Sequence, residues 1–172
     1  MEGSPCLCTV GRFSHAKGMD RAVRIAARLV EMGMKGLRWY LAGYGDEASL
    51  RREIAAHGME EHVVILGKKA NPYPYMAACG LYVQPSRYEG KAVAVREAQI
   101  LGRPVAITRF PTASGHLEDG VDGVIVPNDE EGAAQALFSL LHDPARLESL
   151  AAACRARDYG NRDEILKLEA LV

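Results

Sequence analysis

Short apolar runs alternate along this chain with longer amphipathic stretches, and that alternation constrains the fold more than any other feature. Leu81-Tyr82-Val83 is typical of the runs: too short and too rich in aromatic and β-branched residues for a helix, it suits a buried strand over Leu81–Gln84. The stretch that follows breaks at Pro85-Ser86 and resumes with helical periodicity as far as Leu101, before Gly102 stops it. Further strands are predicted at Cys6–Gly11, Leu37–Ala42, Val63–Leu66, Pro104–Thr108 and Val124–Val126. Helices are expected near Met19–Met32, Glu47–His57, Asn71–Cys79, Gly90–Leu101, Glu130–Leu141 and Pro144–Asp158. A short helical piece is expected at Thr112–Leu117, and an amphipathic helix in the tail from Asn161 to Val172. Strands joined by helical crossovers of this length predict one α/β domain: a Rossmann-like, doubly wound, mostly parallel sheet of about six strands flanked by helices.

Such a sheet binds ligands beyond the carboxyl ends of its strands, near the switch in strand order. The loops there are Arg12–Gly18, Gly43–Asp46, Gly67–Lys69 and Pro85–Gly90, and they carry glycines and cations. A helix beginning near Gly90 would offer the amides of Gly90, Lys91, Ala92 and Val93 to an anion. Glycine at its start lets a ligand approach without meeting a Cβ. Glu89 precedes this helix and suits neutral sugar hydroxyls. Glu97 follows on the order of 12 Å along a helical path, at 1.5 Å per residue, and its carboxylate suits a vicinal diol. Taken alone, the two glutamates read first as a helix-start acid favoured by the dipole and a solvated surface acid. Arg12 and Lys17 on the first loop change the balance, because two cations facing the same crevice suit a diphosphate.

Other chemistries fit less well. With a net charge of -1 over 172 residues, the chain has no global field for nucleic acid or an anionic membrane. No apolar run reaches the roughly 18–20 residues of a membrane span. Cys6 and Cys8 share one face of a strand and, with Cys79 and Cys154, read as small buried thiols rather than a metal or disulfide set. No Asp-x-Asp element offers a divalent metal, and Asp119 and Asp122 suit the turn before Val124, so a metal-independent site is expected. Gly43-Tyr44-Gly45 lacks the third glycine of a dinucleotide fingerprint. His15 and His116 read as surface residues, and Tyr88 as either a pocket wall or loop packing.

In order, V-G-R-F-S-x-x-K-G, L-A-G-Y-G-D, V-x-x-L-G, Q-P-S-R-Y-E-G-K-A-V-A-V-R-E-A and L-G-R-P-V resemble the C-terminal domain of family 4 retaining glycosyltransferases of the GT-B fold. The blocks run from about Cys6 to Leu141, and Glu89 and Glu97 match the family's Glu-x7-Glu motif. The resemblance implies that Arg12 and Lys17 contact the donor diphosphate and Glu89 the donor sugar. Gly90–Val93 would lie near sugar and phosphate, Glu97 would bind the ribose, and the backbone at Lys68 would meet the base. The implied donor is a nucleotide-sugar such as a UDP- or GDP-hexose, transferred with retention, without metal, in cell-surface glycan synthesis. Lys91-Ala92 departs from the Phe-Gly of many members and leaves the donor sugar open.

The resemblance also implies that residues 1–172 form the donor-binding half, which enters its first strand almost at once after Met1–Ser4. An N-terminal acceptor domain would be missing, and the chain alone would be inactive. A cytoplasmic setting is expected, with any contact to the inner membrane made through that absent domain. Half of a sugar-nucleotide epimerase, or a stand-alone nucleotide-sugar-binding module, are the alternative readings.

Overall fold

The computed structural model describes residues 5–160. The expected tail helix, and Met1–Ser4, lie outside them. Six strands form one sheet: β1 (Cys6–Val10), β2 (Arg38–Ala42), β3 (Val63–Gly67), β4 (Leu81–Gln84), β5 (Val105–Thr108) and β6 (Val124–Val126). Their order is β3-β2-β1-β4-β5-β6 and every pairing is parallel. The order reverses between β1 and β4, so the crevice lies beyond Val10 and Gln84.

The helices are α1 (Met19–Glu31), α2 (Glu47–Ala56), α3 (Tyr73–Ala78), α4 (Val93–Ile100), α5 (Glu130–Leu141) and α6 (Pro144–Ala156). Strand alternation divides the core. Leu7, Trp39, Leu41, Leu81, Val83 and Ala106 join one apolar cluster with residues of α1, α2 and α5. Cys8, Tyr82, Val105 and Ile107 face the opposite layer, with Met76 of α3 and Val95 and Ala98 of α4. Neighbours along each strand thus serve different layers, the period-two rule of a pleated strand. α1 presents Ala22, Ile25, Ala26 and Leu29 on one fully buried stripe, each large side chain contributing about 1.5–3 kcal/mol.

Hydrogen bonds tie several polar groups within this core. The Trp39 indole donates to Thr9 Oγ1 at 3.0 Å, and that hydroxyl donates to the Val83 carbonyl at 2.5 Å. Three strands are thereby fixed below the crevice. Asp122, buried in the turn before β6, accepts from the Glu118 amide, Arg157 and the Tyr159 hydroxyl. Asp119 accepts from the Ile125 amide. Both aspartates therefore hold the turn, as expected. Cys8, Cys79 and Cys154 are buried free thiols, while Cys6 is half-buried.

The structure corrects one expectation that bears on the site. The helix after β4 begins at Val93, not Gly90. Ala92 caps it with a non-helical ψ of 74°. Upstream, Ser86 and Glu89 are tied to the core, and Thr112 Oγ1 donates to the Glu89 carbonyl at 2.6 Å. Residues 89–92 are thereby held as a loop, and the 12 Å helical rise does not apply across them. The piece expected at Thr112–Leu117 is a 3-10 turn over Ala113–Gly115.

Candidate active site

Two loops meet at the switch point because a glycine lets them touch. Gly18 lies between the β1 loop and α1 with φ of +66°, and a Cβ there would sit 2.0 Å from the Pro85 carbonyl oxygen. Only glycine combines this backbone conformation with so close an approach. Arg87 closes the contact from the other side: its amide donates to the Ala16 carbonyl at 2.8 Å, and its guanidinium forks onto Asp20 at 2.8 and 2.7 Å. Burial alone would raise the pKa of Asp20, but the hydrogen bonds and charge of Arg87, with help from Arg24, outweigh it and lower the value.

Lys17 and Glu89 are brought together by this junction. Lys17 Nζ donates to both carboxylate oxygens, at 2.8 and 2.6 Å. Glu89 also accepts from Ser86 Oγ at 2.7 Å and Gln84 Nε2 at 3.1 Å. The Glu89 side chain is only 2% exposed, whereas Lys17 is 32% exposed. Gln84 in turn accepts from the buried Tyr82 hydroxyl at 2.7 Å and donates to Ser86 at 2.8 Å. A continuous chain of hydrogen bonds therefore runs from the sheet core to the Lys17 ammonium at the crevice. The sequence reading places Glu89 against sugar hydroxyls. In the structure its carboxylate is occupied by Lys17, Ser86 and Gln84.

Beside this pair the backbone is open. Among the described residues, no backbone or side-chain acceptor takes the amides of Gly90, Lys91 or Ala92, whereas Val93 donates back to the Lys91 carbonyl. A Cβ on Gly90 would meet nothing within 4 Å, so the protein's own packing does not demand glycine there.

The remaining expected residues flank the crevice without touching the Lys17–Glu89 pair. Arg12 and Lys68 lie over the Tyr44 ring, each 5.4 Å from its centroid. Arg12 also reaches the Tyr44 hydroxyl at 3.4 Å and lowers its pKa. Glu97, inside α4, accepts from the Tyr73 hydroxyl at 2.9 Å. Its second oxygen has no partner among the described residues, which leaves a carboxylate able to take a diol. Lys69 lies over Tyr75, 5.5 Å from its centroid. His116 packs against Phe110 and reaches Thr112 Oγ1 at 3.5 Å, whereas His15 is exposed. Burial lowers the His116 pKa, with Glu89 opposing and Arg96 and Lys17 adding to the shift.

Tyr44, Tyr73, Gln84, Ser86 and Thr112 have roles that sequence reasoning missed. Gln84 and Ser86 carried a signal, since polar residues at the end of a buried strand and just beyond it are costly unless paired. Tyr44 and Tyr73 carried none. Among the described residues, no group of three or more His, Cys, Asp or Glu side chains is placed to hold a metal ion, and no helix is long and apolar enough to cross a membrane.

Comparison with known proteins assigns the architecture. Crystal structures with the same fold include a Staphylococcus aureus TarM mutant in complex with Fondaparinux, alpha-GlcNAc-glycerol and UDP, at a TM-score of 0.88 and 20% identity over 98% of this chain and 35% of TarM. The pneumococcal O-GlcNAc transferase GtfA in complex with UDP and GlcNAc superposes at 0.79 with 25% identity, over 96% of this chain and 35% of GtfA. In sequence, the chain is 30% identical over 155 residues to alpha-D-kanosaminyltransferase of Streptomyces kanamyceticus, covering 88% of this chain and 40% of that enzyme. It is 28% identical to the lipopolysaccharide core biosynthesis glycosyltransferase LpsE of Rhizobium meliloti, over 81% of this chain and 40% of LpsE. The chain thus spans about two-fifths of the length of these curated relatives. The sequence model described as "Glycosyl transferases group 1" matches residues 4–143, and the chain belongs to that family.

Proposed function

We propose that this chain is the donor-binding part of a glycosyltransferase that moves a hexose from a nucleoside-diphosphate sugar to an acceptor, in cell-surface polysaccharide or glycan synthesis. The carrying observation is the junction of the β1 and β4 loops, where Lys17 stands on a buried carboxylate beside the unpartnered amides of Gly90–Ala92. Preorganised donors of this kind stabilise negative charge as it develops, without reorganising during reaction. In the transfer, the bond from the anomeric carbon to the diphosphate oxygen breaks, a glycosidic bond to the acceptor hydroxyl oxygen forms, and the hydroxyl proton passes to the departing diphosphate. Lys17, Arg12 and the loop amides would take up the charge left on the departing nucleoside diphosphate. The sugar would lie against Glu89, Gly90, Lys91, Ala92 and Val93. Glu97 would hold the ribose diol beside Tyr73, and the base would meet the backbone at Lys68.

In this reading retention of anomeric configuration rests on the family resemblance, and no metal is needed because the cationic side chains and amides supply the positive field. The relatives' greater length and the family resemblance support a two-domain enzyme whose other domain, completing the cleft around the acceptor, is not in this chain. The chain alone then binds donor but does not transfer.

Calorimetric titration with UDP, GDP and their hexose conjugates tests the reading, and saturable binding of one base series is expected. Glu97→Ala should weaken the free nucleotide at least tenfold. Glu89→Ala, which also releases Lys17, should weaken both ligands and the nucleotide-sugar more. No binding of any of these ligands at millimolar concentration would refute the donor site.

A further inference from the structure

The loops that carry this site also wall a second cavity of about 580 Å³, a volume ordinary for small-molecule sites. It opens past the ends of β5 and β6, lined by Arg21, Arg87 and Arg109 with Tyr88, Phe110 and Asn128. No carboxylate is among its lining residues.

The three arginines are not equivalent. Arg87 is neutralised by its fork onto Asp20. Arg21 is 7% exposed, and its Nη1 finds only neutral acceptors, Asn128 Oδ1 at 2.8 Å and the Ser86 carbonyl at 3.4 Å. Its Nε is buried with no partner. Burial, and then the neighbouring Arg87, lower its pKa, although the charges of Glu130 and Asp20, neither of which lines the cavity, oppose the shift. Arg109 is exposed and forms no ion pair among the described residues. A buried guanidinium facing neutral acceptors is costly unless an anion completes the set.

We propose that this cavity binds an anionic group, a phosphate or a carboxylate, carried by the sugar acceptor. Guanidinium forks match the planar and tetrahedral oxygens of such groups, and aromatic walls suit the apolar face of an attached sugar. Position supports the assignment to an acceptor. Tyr88 precedes Glu89, and Pro111 precedes Thr112, whose hydroxyl holds the Glu89 carbonyl. The cavity and the donor site therefore share a wall. The identity of the occupant rests on the transferase reading, whereas the existence of an anion site does not.

The test is an NMR titration of the full chain with glucose 6-phosphate, glucuronate and glucose, each with and without saturating UDP. The Arg21 Nε–H and the amides of Tyr88, Phe110 and Ser114 are followed. Both anions should shift these resonances saturably whether or not UDP is bound, and glucose should not. Arg109→Ala, at an exposed position that leaves the fold intact, should weaken both anions about tenfold, the loss of one charge-assisted contact. Absence of saturable shifts, an equal response to glucose, or unchanged affinity in Arg109→Ala would overturn the proposal. Displacement of the anions by UDP from these same resonances would place a donor diphosphate here and overturn the acceptor assignment. Failure of UDP to bind anywhere would remove the transferase reading, while the UDP-free titrations would still judge the cavity.

Discussion

Glu89→Gln keeps the side chain's shape and removes its charge, so it isolates what the Lys17 pair contributes. The carboxylate is 2% exposed and accepts from Lys17, Ser86 and Gln84. A glutamine must direct its amino group at one of these donors, because both carboxylate oxygens face Lys17. Breaking a fully buried pair costs about 3–5 kcal/mol. Lys17 is one-third exposed and can turn to water, which lowers the expected loss to about 2–3 kcal/mol. Lys17→Met should cost more, about 3–4 kcal/mol, because the Glu89 carboxylate keeps two neutral donors but is left buried without its counter-charge. In the double variant neither partner is stranded. The losses should then fall short of additive by about 1–2 kcal/mol. Urea unfolding of the four proteins, with unchanged m-values, measures this cycle. Additive losses, each below about 0.5 kcal/mol, would refute a structural coupling and leave Lys17 an ordinary surface cation.

Gly90→Ala should change stability by less than about 0.5 kcal/mol, since its Cβ meets no protein atom. It should weaken nucleotide-sugar binding about tenfold, the cost of overfilling a contact made by ligand alone; urea unfolding and calorimetry read the two arms. Gly18→Ala should cost more than about 3 kcal/mol in the same unfolding assay, because positive φ and a 2.0 Å approach to the Pro85 oxygen coincide. His116 should titrate below its ordinary value of about 6.5 in an NMR pH series. Its folded pKa lies under its unfolded one, so the unfolded chain binds the proton more tightly. Stability should therefore fall as pH drops from about 6.5 through the folded value, and His116→Gln should remove that share of the slope.

The layer order of this protein was legible because burial imposes a period on each element. Leu81-Tyr82-Val83 announces a strand covered on both faces, and the Ile25–Leu29 stripe announces a helix covered on one. β4, β6 and α5 fall on their expected residues for that reason. The start of α4 was not legible, since helical periodicity continues upstream through Ala92. What stops it is tertiary: Ser86, Gln84 and Lys17 draw Glu89 inward, and Thr112 holds its carbonyl. The site shows the same division. The residue types on the crevice loops could be read along the chain. That Lys17 rests on Glu89 could not, because those residues are 72 positions apart and meet only through Gly18 against Pro85. The arginine cavity was equally hidden, its three guanidiniums coming from separate segments.

The central claim is that a nucleoside diphosphate binds where the β1 and β4 loops meet. Backbone amide NMR of the chain titrated with UDP and with GDP tests it most directly. The account predicts that one of the two nucleotides gives its largest saturable shifts at Gly90–Ala92, with Lys17 and Lys68 following at the same midpoint. Saturable shifts centred elsewhere, with Gly90–Ala92 unmoved, would contradict it.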